Sequence, residues 1–289
     1  MDTKTNTQKK TSQTIEGEVF YDSYMPDSLA AARQFAGPGG FIASMPFIID
    51  LRLVHPFTHK IWNGWFTANS EEMDGKLNNG KQVILEIHGG GILTQEGRLE
   101  RAYADKLTAE YGARLSPEEV KNAIYGRLPD GTTMPVYSLA EIKRGVEPTE
   151  RVFGIVLDAD DAKKTQSPYL TLDDMLKSDI LLARCASEKR RERYVIEALT
   201  KYNVEKLGFM NRYKKENSEN NQGRFLIVGT SWDDCFDTSA QSSDGGFIGV
   251  QVKTQEMLAR NDARITIPPD LQGIRQDHNS RVYPTEGYQ

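Results

Sequence analysis

The stretch Gln82-Val83-Ile84-Leu85-Glu86-Ile87-His88-Gly89-Gly90-Gly91-Ile92-Leu93-Thr94 decides how this chain is read. An apolar, β-favouring run ends in a histidine and three glycines, and a helix-like pattern follows. Each glycine loses more backbone freedom on folding than any other residue, so three in succession are costly. They fit where a backbone turns sharply or where a ligand or chain approaches its amides closely. The expected unit is a buried strand over 82–87, a tight turn, and a helix. Four other apolar runs read as strands of the same mixed central sheet, near 47–54, 151–157, 224–228 and 247–252. Helices from 95–145 and 187–203 are expected to cover that sheet. The fold class is α/β or α+β.

Local punctuation sets the remaining boundaries. Ser28–Ala36 reads as a short helix stopped by Gly37-Pro38-Gly39-Gly40. Phe41–Val54 is apolar and reads as strand, with a break at Pro46. His55–Phe66 is dense in aromatics and reads as buried irregular structure or strand. Asp74-Gly75 and Asn79-Gly80 are turn signals ahead of the 82–87 strand. Thr94 is the expected N-cap of a helix over 95–111, with Leu99, Tyr103, Leu107 and Tyr111 on one stripe and Gly112 as its stop. Ser116-Pro117-Glu118-Glu119 is a capping box with proline at the first helical position. Val120, Ala123 and Ile124 form its buried face, and Gly126 ends it. Leu128–Gly131 is a turn. Ser138-Leu139-Ala140-Glu141 is a second capping box, closed by Gly145. Thr171 caps another short helix, and Ser187 opens a stronger one reaching Asn203.

Composition narrows the function classes. The 289 residues are 38% hydrophobic and 27% charged, within the soluble globular range once glycine joins the apolar count. A formal net charge of −5 gives no global attraction to nucleic acid or to an anionic membrane. No apolar run approaches the ~20 residues that span a bilayer. The polar start Met1–Lys10 has no apolar signal core, so a cytoplasmic location is expected. Cys185 and Cys235 read as two reduced thiols without a local Cys/His partner, and neither a metal nor a cofactor is expected. Residues 1–14 read as a flexible polar arm, 15–267 as one globular domain, and 268–289 as an extended proline- and polar-rich tail.

Two chemical constellations stand out. His88-Gly89-Gly90-Gly91 after a strand resembles the oxyanion-hole motif of hormone-sensitive-lipase-type α/β-hydrolases. That resemblance implies glycine amides facing a developing oxyanion. It also implies a nucleophile, and Gly229-Thr230-Ser231-Trp232-Asp233 is the nearest elbow, although it lacks the final glycine. Ser231 would be the nucleophile, Asp244, Asp262 or Asp270 the acid, and His278 the base. Separately, Asp158-Ala159-Asp160 at a strand end resembles the first motif of haloacid-dehalogenase-type phosphatases. That implies one carboxylate attacking phosphorus and the other handling the proton. Ala162 stands where that family expects threonine or valine. The alternative accounts are a glycine turn that lets a helix pack on a strand, and an aspartate capping a helix.

Other patterns carry less chemistry. His55 and His59 stand four apart, but Pro56 opposes a helix there. Lys189–Arg193 is a basic run on a helix, which is usually a solvated face. Trp62, Trp65 and Phe66 read as a core cluster. Three function classes follow: a non-catalytic interaction or self-assembling protein, a serine hydrolase using Ser231 and the glycine turn, and a magnesium-dependent phosphoryl-transfer enzyme using Asp158 and Asp160. Neither motif is accompanied by its full constellation, which places the interaction protein first. Its expected partner is itself or another protein, with the two polar termini ordered by neighbouring subunits.

Overall fold

A computed structural model describes residues 14–104, 108–109, 112–165, 167–210, 221–231, 235–239, 245–253 and 264–266. The chain begins with β1 (Thr14–Asp22), α1 (Met25–Ala36), β2 (Phe41–Ile42) and α2 (Met45–Val54), then a 3-10 turn at Lys60–Trp62. It continues through β3 (Phe66–Lys76), β4 (Gln82–His88), α3 (Arg98–Ala104), β5 (Thr108–Ala109) and β6 (Gly112–Arg114). Next come α4 (Pro117–Ile124), β7 (Val136–Ser138), α5 (Leu139–Lys143), β8 (Phe153–Asp158) and α6 (Ala159–Ala162). The last stretch holds β9 (Tyr169–Thr171), α7 (Leu172–Lys177), α8 (Asp179–Cys185), α9 (Glu188–Tyr202), β10 (Lys206–Gly208), β11 (Gln222–Val228), β12 (Phe236–Ser239), β13 (Gly245–Lys253) and β14 (Arg264–Thr266).

The fold is mixed α+β. An eight-stranded sheet runs in the order β5-β6-β11-β3-β4-β8-β7, with β12 also pairing to β11. Its pairings are antiparallel except β7 with β8, which is parallel. A smaller sheet, β14-β1-β13-β2, joins the first described strand to two late ones. Its central pairing runs from Thr14 opposite Lys253 to Asp22 opposite Gly245. Side chains alternate across the large sheet. One face meets α2, α8 and α9 through Ile84, Ile155, Ile49, Leu181 and Tyr194. The other meets α1, α4 and the small sheet through Leu85, Ile87, Leu29, Val120 and Phe247.

The strands at 82–87, 151–157 and 224–228 lie where the sequence puts them, and so do the helices capped by Ser116, Ser138, Thr171 and Ser187. Each of these four hydroxyls accepts a first-turn amide. Five expectations need correction. Residues 47–54 are helix, not strand. Met45, Ile48, Ile49, Arg52 and Leu53 are buried at helical spacing, and Pro46 stands in the first turn, where its missing N–H costs nothing. Residues 247–252 are strand, but in the small sheet.

Of the helix expected over 95–111, Arg98–Ala104 is helix but Thr108–Ala109 is strand, and Gly112 opens a strand rather than stopping a helix. Leu107 and Tyr111 lie outside the described residues. Asp74-Gly75 is no turn but part of β3, where a Cβ on Gly75 would sit 2.5 Å from Val120 Cγ1 of α4. The basic run is only partly a solvated face: Lys189 and Arg193 are exposed, but Arg191 is buried. Arg190 pairs with Asp50, Arg191 donates to the Ser178 carbonyl, and Arg193 donates to the Leu53 carbonyl. The 1–14 arm up to residue 13, and the 268–289 tail, lie outside the described residues.

Candidate functional site

The glycine turn is built as an internal cradle for a carboxyl group. β4 ends at His88, and the Gly89 amide donates to the Asn69 carbonyl of β3 (2.8 Å). Gly89 has φ 83°, and a Cβ there would lie 1.8 Å from the Arg151 carbonyl oxygen. Only glycine lets the chain pass that close. Thr94 does not cap a helix. Its hydroxyl accepts the Gly91 amide (2.8 Å) and closes the turn on itself.

Beneath the turn lies the carboxylate of Glu71, fully buried. The Thr94 amide donates to Glu71 Oε1 (3.1 Å), and a Cβ on Gly91 would meet the same carboxylate at 2.5 Å. The backbone that resembles an oxyanion hole is wrapped around a carboxyl group supplied by the chain itself. Burial pushes Glu71 up to about 7, while the amides of Leu93, Thr94 and Ile92 and the charge of Arg98 pull it down. Arg98 is held by Glu119 (2.9 Å), which ties the turn to α4.

His88 is equally committed. It is fully buried, with Nε2 3.0 Å from the Ala183 carbonyl of α8 and Nδ1 2.9 Å from Ser70 Oγ. A carbonyl only accepts, so Nε2 carries the proton. Nδ1 then accepts from the Ser70 hydroxyl, whose oxygen accepts the Met45 amide (2.9 Å) at the start of α2. Burial lowers His88 to about 4, so the ring is neutral at physiological pH.

The other expected site residues are scattered. Ser231 follows β11 in the connection to β12 and is half-buried. His278, Asp244, Asp262 and Asp270 lie outside the described residues. Asp158 caps α6 by accepting the Asp160 amide (2.8 Å), and its other oxygen meets Lys81 Nζ (2.7 Å). The hydrogen bond from Lys81 holds its carboxyl below the ordinary range. Asp160 projects into solvent and pairs with Lys163 (2.8 Å).

His55 and His59 stack ring on ring at 4.1 Å, and His59 Nδ1 accepts the Ile61 amide. Among the described residues, no group of three or more His, Cys, Asp or Glu is placed to hold a metal ion. Cys185 and Cys235 are buried thiols, and burial pushes Cys185 up to about 12. No helix among the described residues is long and apolar enough to cross a membrane.

Sequence reasoning missed a second set of residues. β3 places Glu72 opposite Glu86 of β4, and Arg184 of α8 reaches both. On the same side of the sheet, Arg52 of α2 is fully buried without a carboxylate in its hydrogen-bond shell. It donates to the carbonyls of Ile61, Gly64 and Gly229 and to the Tyr194 hydroxyl (2.6 Å). Glu86 amid an apolar strand was the one visible sign of this layer.

No protein-family model matches the chain, and no curated protein matches it. One solved structure does. It is described as "Accommodation of massive sequence variation in Nanoarchaeota by the C-type lectin fold". The alignment covers 86% of this chain and 99% of that one, with a TM-score of 0.58 and 18% identity. This chain shares the C-type lectin fold.

Proposed function

We propose that this protein is a non-catalytic binding module whose partner is a protein, a second copy of itself included. One observation carries the reading. The described groups best suited to chemistry are spent on one another. His88 has both nitrogens bonded, the amides of Ile92, Leu93 and Thr94 after the glycines face Glu71, and Asp158 caps a helix while pairing with Lys81. A general base needs a nitrogen or oxygen within reach of the proton it takes; His88 and Glu71 are fully buried, and both Asp158 oxygens are already engaged, by the Asp160 amide and by Lys81. The similar solved structure adds support, because its description concerns a C-type lectin fold that tolerates extensive sequence variation. A frame of this kind suits binding surfaces carried on connections between rigid elements.

The test joins two measurements on the full chain. Light scattering at micromolar concentration, with and without residues 1–14, reads self-association against the 32.5 kDa monomer. Labelling with a fluorophosphonate probe reads an activated serine. The expected result is a species larger than the monomer that is weakened by the deletion, with no labelling. Stoichiometric labelling lost on Ser231→Ala would overturn the reading in favour of hydrolysis. A strict monomer unaffected by the deletion would remove self-association and leave only a different protein as partner.

A further inference from the structure

We propose that Glu72 and Glu86 form a buried proton-binding pair, holding one proton between strands β3 and β4 beneath α8. The two residues are directly opposite in the antiparallel register, so their side chains leave the same face of the sheet at close spacing. Both are essentially inaccessible, at 1% and 0% exposure. One cation lies between them. Arg184 Nη2 meets Glu72 Oε2 at 2.8 Å, whereas its Nε stands 3.6 Å from Glu86 Oε1. The same guanidinium stacks on the Phe209 ring and donates to the Met210 carbonyl.

Hydrogen-bond accounting exposes the gap. Glu72 Oε1 and both Glu86 oxygens have no donor among the described residues. Ionised carboxylates only accept, so two of them side by side cannot satisfy each other. One proton supplies the missing donor and removes the surplus charge. Glu72 already holds the close contact to Arg184, which leaves the proton on Glu86, donated towards Glu72.

The surroundings agree on charge. On β3 the neighbours along this face are Ser70 and Asp74, and on β4 the neighbour is His88, which is neutral. On β11, Arg224 stands opposite Glu72, and its charge favours the ionised form of Asp74. On β8, the residue opposite Glu86 is Ile155, which carries no charge. α8 contributes Arg184. Two arginines thus face Glu72 and Asp74, and Glu86 is the odd carboxyl. Burial and the charge of Glu72 raise Glu86 well above the ordinary carboxylate range, against the pull of Arg184. A carboxyl raised in this way stabilises the fold at low pH and loses that contribution as pH rises through its raised value. Its loss puts an uncompensated charge under α8.

The experiment compares full-length wild type, Glu86→Gln and Glu72→Gln. Glutamine mimics a protonated glutamate, so Glu86→Gln should melt with wild type at neutral pH and lose less stability on the alkaline side. Glu72→Gln should melt lower than Glu86→Gln, because Arg184 loses its counter-ion. Infrared spectra at neutral pH should show a protonated-carboxyl band in wild type that Glu86→Gln removes. Carbon-13 NMR of glutamate-labelled wild type reads the same proton if either variant fails to fold. Two ionised carboxylates at neutral pH in that spectrum would overturn the proposal, as would equal destabilisation by both variants. A melting temperature raised by sodium, potassium, magnesium or calcium in wild type, but not in Glu86→Gln, would also overturn it by assigning the pair to a metal cation.

Discussion

Replacing Glu71 by glutamine should make the protein more stable at mildly alkaline pH and leave it almost unchanged in acid. Glu71 rises from an ordinary 4.5 to about 7 because burial outweighs the amides around it. That displacement corresponds to roughly 3 kcal/mol at ~1.4 kcal/mol per tenfold change in proton affinity. The sign follows from linkage. The folded state binds this proton more tightly than the unfolded chain. Stability is therefore full below 4.5 and is lost progressively as pH rises through about 7. Glutamine does not titrate, and its oxygen still accepts the Thr94 amide. The difference between variant and wild type should therefore grow from near zero at low pH to roughly 3 kcal/mol above neutrality. For a chain of this size that is on the order of 5–10 °C in melting temperature. Thermal and urea unfolding followed by circular dichroism across the range measure it. A difference between the two proteins that stays constant with pH would refute the reasoning, because it would mean that Glu71 keeps its proton affinity on folding.

Two further substitutions probe the same turn from its other sides. Gly89→Ala should be much more destabilising than Gly80→Ala. Both glycines have φ 83°, but the added Cβ meets a carbonyl at 1.8 Å in the first and nothing within 4 Å in the second. Gly80→Ala should cost only the left-handed backbone penalty of roughly 1–2 kcal/mol, and equal urea midpoints for the two variants would sink the argument. His88→Gln should flatten the acid side of the stability profile. A histidine lowered from 6.5 to about 4 contributes stability that is present above 6.5 and lost as pH falls towards 4, and glutamine can serve both Ser70 and Ala183 without titrating.

What the sequence made legible was what local chemistry decides. Capping boxes at Ser116, Ser138 and Thr171 announce themselves within four residues, and the structure contains all three. The strands β4, β8 and β11 are short apolar runs bounded by turn residues. β3 was invisible for the opposite reason. Phe66-Thr-Ala-Asn-Ser-Glu-Glu-Met-Asp-Gly-Lys76 is polar, yet it lies at the centre of the sheet with all but its last residue buried. Charged residues are almost never fully buried unless paired, and pairing is made by chain that is distant in sequence.

Glu71 meets the turn at 91–94, and Glu72 meets Arg184, 112 residues away. α2 was misread although its signal was present. The buried set 45, 48, 49, 52 and 53 has helical spacing, but β-favouring side chains and a proline masked it. The glycine turn stood out in the sequence as a place of sharp turning or close approach, and in the fold Gly89 passes against the Arg151 carbonyl and Gly91 against Glu71. Its occupant was illegible, because nothing local says that the carboxyl group is that of Glu71.

Glu71 and His88 pull the pH profile in opposite directions, and their magnitudes match. His88 is displaced from 6.5 to about 4, and Glu71 from 4.5 to about 7. Each therefore carries roughly 3 kcal/mol, one lost in acid and one lost above neutrality. As pH rises from 4 towards 8, the fold recovers the first contribution at nearly the rate at which it gives up the second. Summed over both groups, the change across this range is below about 1 kcal/mol, with a shallow optimum near pH 5.5. The joint contribution of these two groups to wild-type stability should then be almost insensitive to pH, although both are buried beside the same turn. The single variants expose the cancellation. Glu71→Gln leaves His88 alone and should gain stability steadily as pH rises. His88→Gln leaves Glu71 alone and should lose it over the same range. Single variants whose slopes, taken relative to wild type, share one sign would show that the two groups do not offset each other.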